Sequence, residues 1–208
     1  MSKDQPFLGV LLMLCFCIVA PLGDSIAKLL GGVVPLVLLL TVRFGIQALV
    51  LLPICWLGQI SLNLPKGLAR LIWARPILHI LGIGTMFTAL RYLPIADAFA
   101  ISFVMPFIML LLGHFAMGET VGMHRFSACA VGFIGTLLVI QPNFVEVGAL
   151  ALIPLSTAVI FALFMMVTRK VAKSLNPIAL QTIGGAQACL ILLPALYFLP
   201  EATEIGHF

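Results

Sequence analysis

The 208-residue chain is 62% hydrophobic and carries only eleven Lys/Arg and seven Asp/Glu, a formal charge of +4. A water-soluble domain of this length needs far more charge to coat its surface, and its apolar residues alternate with polar ones instead of forming long unbroken runs. A membrane β-barrel requires alternating segments of about ten residues, which are absent, and no basic run here suits a nucleic-acid backbone.

A bilayer core takes about 20 apolar residues per helix and roughly seven such windows fit, so the sequence predicts an all-α polytopic membrane protein. Helix one is expected from about Phe7 to Leu30, with Pro21 and Asp24 in its second half. The start, Met1-Ser-Lys-Asp-Gln, lacks a strongly basic region and the apolar run is long, so this helix is expected to stay in the membrane. Helix two covers roughly Val34 to Leu57 and carries Arg43. A polar loop with turn formers Asn63, Pro65 and Gly67 follows. Helix three is expected from Leu71 to Leu90, helix four from Ile95 to Met117, and helix five from His124 to Gln141. Gln141-Pro-Asn143 marks a break, after which helices six and seven run from about Val147 to Thr168 and Pro177 to Leu199.

Basic residues set the orientation. With the N-terminus in the cytoplasm, the inner side holds Lys3, Lys66, Arg70, Arg75, Arg125, Arg169, Lys170 and Lys173, and the outer side only Lys28 and Arg91. The five cysteines lie in or beside apolar runs, and Cys15-x-Cys17 lacks metal-ligand spacing, so packing is their expected role. No metal site and no cofactor motif is present in the sequence.

Laid out this way, the chain contains a weak repeat. Thr41 to Pro53 reads TVRFGIQALVLLP and Thr182 to Pro194 reads TIGGAQACLILLP, an offset of 141 residues (182 minus 41). The offset equals five helices, an odd number, so the copies would sit upside down relative to one another, a pattern found in transporters. Residues 1–141 then form a five-helix repeat, 147–199 the first two helices of a second, and 200–208 an extracytoplasmic tail.

Polar groups inside the spans are the candidate site. Asp24 and Lys28, four apart, share a helical face and can pair. Arg43 lies about nine residues into helix two, roughly 14 Å along the axis and near mid-membrane. A charge at that depth must meet a partner or water, and Asp24 and Asp97 are the candidates; the cluster either ties helices together or serves transport. Arg75 and His79 are also four apart; Arg75 either snorkels to lipid phosphates or meets substrate, and His79 is either a structural hydrogen-bonded group or a ligand or proton site. Glu119 is expected in water or paired with Arg125. Pro106 removes a backbone hydrogen bond mid-helix, leaving either a kink or a carbonyl open to a ligand. Phe99, Phe103 and Phe107, spaced by four, form a stripe that packs against core or lipid, or stacks on a planar substrate. Ala128-x-x-x-Gly132 has the small-x-x-x-small form of an internal helix contact, and the same form admits a homodimer.

These residues resemble the drug/metabolite transporter superfamily, specifically the EamA-type carriers. The resemblance rests on Ala96-Asp97-Ala98, Pro106, Gly118-Glu119, Gly132-Phe133-Ile134-Gly135 and Arg43-Phe44, and covers about residues 9 to 199. It implies ten helices in two inverted five-helix repeats around a central cavity, with alternating access for small metabolites, and so three helices beyond those in this sequence. Within that family the chain is similar to the S-adenosylmethionine uptake branch through Asp24 with Lys28, Arg43-Phe44, and Arg75-Pro76 followed by His79; Gly82 stands where that branch commonly has arginine.

The expected function is a secondary carrier of the inner membrane for a small polar metabolite, amino-acid or nucleoside derived. Its expected partners are substrate and bilayer, with no nucleic acid. Asp24, Arg43, His79, Asp97, Phe103 and Pro106 are the candidate substrate-binding residues. Arg43 and Asp97 would recognise charge, and Asp24 or His79 would exchange a proton. Two other classes compete. An intramembrane aspartyl protease needs paired carboxylates in defined motifs, which Leu22-Gly-Asp24 and Ala96-Asp97-Ala98 do not supply, and no nucleophile-elbow pattern supports a hydrolase. A non-transporting remnant or assembly partner is the third.

Overall fold

The structure, a computed structural model, describes residues 6–30, 34–65, 67–118, 122–140 and 147–198. Its described residues form α1 (Pro6–Leu30), α2 (Leu36–Leu57), α3 (Ala69–Tyr92), α4 (Ile95–Ser102), α5 (Met105–Met117), α6 (Met123–Ile140), α7 (Leu152–Val171) and α8 (Pro177–Phe198), with a 3-10 turn at Gly148–Ala151 leading into α7. Six helical segments are long and apolar enough to cross a membrane, and the apolar helix Met123–Leu138 is shorter. The all-helical polytopic architecture expected from composition is therefore the architecture found.

Local chemistry sets the helix ends. Gly118 closes α5 in the left-handed conformation (φ 65°), which costs glycine nothing and lets its N–H donate to the last carbonyls. Asn176 opens α8: its side-chain oxygen accepts from the Ile178 N–H at 2.9 Å, with Pro177 in the first turn. The single expected helix four is instead two helices. Pro106 cannot donate to the Ser102 carbonyl and its ring collides with it, so the chain turns at Phe103 and Val104 before resuming as α5. The Ser102 hydroxyl donates back to the Ala98 carbonyl at 2.9 Å and lies 3.4 Å from the Pro154 carbonyl, which ties the break to α7.

Four helices make the centre. Along α3 and α7 the contacts Arg75–Thr168, His79–Phe164, Gly82–Phe161 and Thr85–Thr157 run in opposite directions, so the two helices pack antiparallel along most of their length. The pair α2 and α8 is antiparallel as well: Thr41 meets Cys189, Gln47 meets Gln181, and Cys55 meets Thr182. Their backbones approach closely at Gly185, where a Cβ would stand 3.3 Å from Ala48 N and Phe44 O. Leu40, Phe44, Ile83, Phe87 and Leu192 fill the space between these helices, and a second cluster of Ile72, Val171 and Leu180 closes one end.

The remaining helices are peripheral. Both α4 and α5 lean on α7, and α6 is held to α5 by edge-on contacts of Phe107 with Phe126 and Phe133. Helix α1 touches α3, and the Lys28 ammonium donates to the Leu93 carbonyl at 2.9 Å. The apolar residues of α1 that are described face outward, as do Leu49, Trp56, Val131 and Leu138. Such a surface would aggregate in water and matches a lipid solvent.

Candidate functional site

The polar centre of the molecule lies where α3 passes between α7 and α8. Arg75, in the first half of α3, is only 3% exposed. Its Nε donates to Thr168 Oγ1 at 3.0 Å, its Nη1 to the Leu180 carbonyl at 3.3 Å, and its Nη2 to Gln181 Oε1. The guanidinium face lies over the Phe164 ring, 4.8 Å from the centroid. Burying a guanidinium is costly without hydrogen bonds, and three acceptors plus an aromatic face offset that cost here. The snorkelling expected for Arg75 is therefore overturned. The side chain turns inward because α8 brings two acceptors and a glycine within its reach. At Gly184 a Cβ would come within 2.6 Å of Arg75 Nη1, so only glycine leaves the guanidinium this seat.

His79 sits one turn further along α3. Its ring stacks on Phe164 at 4.6 Å and meets Phe44 edge-on at 5.1 Å, with Phe161 at 6.4 Å completing an aromatic enclosure. The positive charges of Arg75 and Arg43 both act on it. Arg43, exposed on α2, lies over the Phe87 ring at 5.8 Å. His79, Arg43 and Arg75 thus belong to one neighbourhood built by α2, α3 and α7.

The other sequence candidates lie elsewhere. Asp97 is buried in the first turn of α4, a helix whose main partners are α7, α6 and α3, and an Arg43–Asp97 bridge is not formed among the described residues. Phe103 is 46% exposed in the turn between α4 and α5, and Pro106 is half-buried at the start of α5. The break separates Phe99, which packs on the core, from Phe107, which packs on α6, so the expected aromatic stripe is divided. Gly132 has open space where a Cβ would go, so it makes no internal helix contact among the described residues. The side chain of Asp24 and all of Glu119 lie outside the described residues.

Sequence reading missed Thr168, Gln181, Gly184 and Gln187. Gln187 is 8% exposed and its Oε1 is a buried acceptor with no hydrogen-bond partner among the described residues. A glutamine inside an apolar span was the available signal, and α8 holds two of them. Among the described residues no cluster of His, Cys, Asp or Glu is arranged to hold a metal ion.

An all-helical, multi-pass body with a lipid-facing surface and an enclosed cationic centre defines a polytopic membrane protein with polar machinery at its core. Residues 7–141 match the EamA-like transporter family, and the chain belongs to that family. The family is one of transporters. It is 31% identical over 142 residues to a riboflavin transporter of Rhizobium johnstonii, a match covering 64% of this chain and 46% of the relative. It is 22% identical over 202 residues to an S-adenosylmethionine uptake transporter of Rickettsia prowazekii, covering 95% of this chain and 68% of the relative. The corresponding protein of Rickettsia conorii is 24% identical over 188 residues, covering 88% and 63%. One solved crystal structure shares the fold with a TM-score of 0.62 at 23% identity, over 88% of this chain and 64% of that one. The chain thus spans about half to two thirds of the length of the relatives it matches.

Proposed function

We propose that this chain handles substrate in a secondary carrier that moves a small polar metabolite by alternating access. The observation that carries the reading is His79 enclosed by three phenylalanines, under the charge of Arg43 and Arg75, at the meeting of four apolar helices. Polar groups at that depth are expensive to keep in a membrane and mark substrate paths. In this reading Arg43 and His79 contact substrate, Asp24 and Asp97 supply opposing charge, and Phe103 and Pro106 sit at a helix break that flexes. Residues 1–141 form one repeat and 147–199 begin its inverted copy, an arrangement supported by the antiparallel pairing of α2 with α8. The N-terminus lies in the cytoplasm and the protein in the inner membrane. S-adenosylmethionine is the favoured cargo on the relatives with the widest coverage, with riboflavin as the comparison.

Cells expressing the chain should accumulate one of these two labelled compounds above the vector control. Arg43→Ala and His79→Ala should each abolish most of the difference. Equal accumulation with and without the protein, for both compounds, removes the reading.

A further inference from the structure

Open space lies at one end of the bundle, where α2 and α7 finish and α3 and α8 begin. The chain leaves α2 by folding back on it. Gln59 takes a positive φ of 49°, and the Ile60 N–H donates to the Cys55 carbonyl at 2.9 Å. An open apolar groove of about 790 Å³ runs between the helix and the returning chain, with Leu52, Trp56 and Leu57 on one side and Ile60 and Leu62 on the other. Trp56, Leu57 and Leu62 are all exposed. Gln59 and Ile60 also line a second groove, of about 400 Å³, so the two adjoin. This one is polar: Gln59, Ser61 and Asn63 form one wall, and Ser174 and Asn176, from the turn between α7 and α8, form the other.

Two features set the charge that the polar groove receives. Its acceptors are engaged locally: Ser61 Oγ accepts from the Asn63 N–H at 3.3 Å and Asn176 Oδ1 from the Ile178 N–H at 2.9 Å. The Ser61 hydroxyl hydrogen and the Asn176 amide N–H groups then remain to donate. The second feature is the charge around it. Residues 57–70 and 169–178 carry Lys66, Arg70, Arg169, Lys170 and Lys173 and no Asp or Glu. Lys170 and Lys173 are exposed, and Lys173 directly precedes Ser174 on the groove wall. Helix ends of a spanning bundle lie at the depth of lipid headgroups, where an exposed tryptophan is at home.

We propose that the two grooves form one binding site for an anionic phospholipid. The phosphate lies in the polar groove beside Ser61, Ser174 and Asn176, and the upper part of an acyl chain lies along Trp56, Leu57 and Leu62. Lys170 and Lys173 supply the preference for a net negative headgroup over a zwitterionic one. A free phosphate would occupy the polar half alone and leave the apolar fold-back uncovered, so the lipid is the occupant that uses both halves. The site shares no residue with the neighbourhood of His79 and Arg75 and stands independently of the carrier reading.

Trp56 is one of two tryptophans in the chain, so Trp73→Phe leaves it as the sole indole reporter. The full chain with that change is placed in phosphatidylcholine vesicles containing a minor fraction of phosphatidylglycerol or phosphatidylcholine brominated near the top of the acyl chain. Brominated phosphatidylglycerol should quench Trp56 at a mole fraction about fivefold lower than brominated phosphatidylcholine. Lys170→Gln combined with Lys173→Gln should erase most of that difference. Ser174→Phe fills the polar groove and leaves every charge in place. It should erase the difference too, whereas a diffuse attraction between basic surface and anionic lipid survives it. Arg125→Gln, on α6 and outside the grooves, should change nothing. All these positions are exposed, so melting temperatures should hold and separate lost binding from lost folding. Equal quenching by the two lipids, or a preference that Ser174→Phe leaves intact, overturns the proposal. So does a preference abolished by inorganic phosphate at constant ionic strength, which assigns the groove to a free anion.

Discussion

Gly184 and Gly132 are both glycines inside apolar helices, yet they answer to different forces. At Gly184 an added methyl meets Arg75 Nη1 at 2.6 Å, and that atom is held by its own hydrogen bond to Leu180. Gly184→Ala should therefore displace the guanidinium and cost about 1–3 kcal/mol, the usual range for overpacking. Gly132→Ala adds its methyl to open space and should be neutral or stabilise by up to about 1 kcal/mol through helix propensity. Thermal unfolding of the two variants side by side measures the contrast. His79→Phe offers a second residue-scale test. A phenyl ring keeps the stack on Phe164 and the edge contact with Phe44 but removes both ring nitrogens. It should leave the melting temperature within a few degrees and reduce uptake by about tenfold or more if the imidazole meets substrate. Unchanged uptake would assign His79 to packing.

The site was only partly legible at this scale. Arg43 and His79 stand out in the sequence because charge and imidazole are rare within apolar runs, and they do share a neighbourhood. Arg75 looked like an interfacial anchor because its depth placed it near an inner helix end. Its acceptors, Thr168 and Gln181, lie 93 and 106 residues further along the chain. No local pattern announces a partner at that separation, and the cost of burial is visible only once the partners are in place.

Among the elements, the expected helical stretches were readable from length and hydropathy. Among the described residues six segments are long enough to span, and the fifth expected span is the shorter α6. The division of the fourth was not readable. Pro106 signalled a lost hydrogen bond. Whether a helix bends or parts at such a residue depends on the neighbours that hold the chain there, here α7, whose Pro154 carbonyl lies 3.4 Å from the Ser102 hydroxyl. The i, i+4 stripe of phenylalanines failed for the same reason, since a periodicity argument holds only while the helix continues. One close inter-element contact is α2 against α8 at Gly185. There the neighbours are backbone atoms that cannot rotate aside, so Gly185→Leu should cost about 2–3 kcal/mol or prevent assembly of the quartet. Loss of a monodisperse elution profile, or a melting temperature lowered by several degrees, is the expected readout.

At the scale of the whole molecule, the distribution of basic residues makes a prediction of orientation. In a variant lacking the native cysteines, a cysteine replacing Asn63 or Lys173 should react with an impermeant maleimide only after the membrane is opened. One replacing Tyr92, which is exposed beside the α3–α4 turn, should react in intact cells. The reverse pattern would invert the assigned topology. Composition sufficed for the class of molecule, because a bilayer imposes its thickness on every span. It could not reveal which spans touch: α7 and α8, last in the chain, pack most closely with α2 and α3.

The meeting of α2 and α8 at a bare glycine has a mechanical corollary. Two rods that interlock through bulky side chains must separate before they can turn. Two that touch backbone to backbone at a small residue can pivot there once the flanking contacts of Gln47 with Gln181 and Cys55 with Thr182 give way, with Phe44 and Ala48 as the bearing surface. Any tilt there swings Thr41 and Cys55, near opposite ends of α2, in opposite senses. One end of the α2–α8 seam widens as the other narrows, with no loss of contact at the fulcrum.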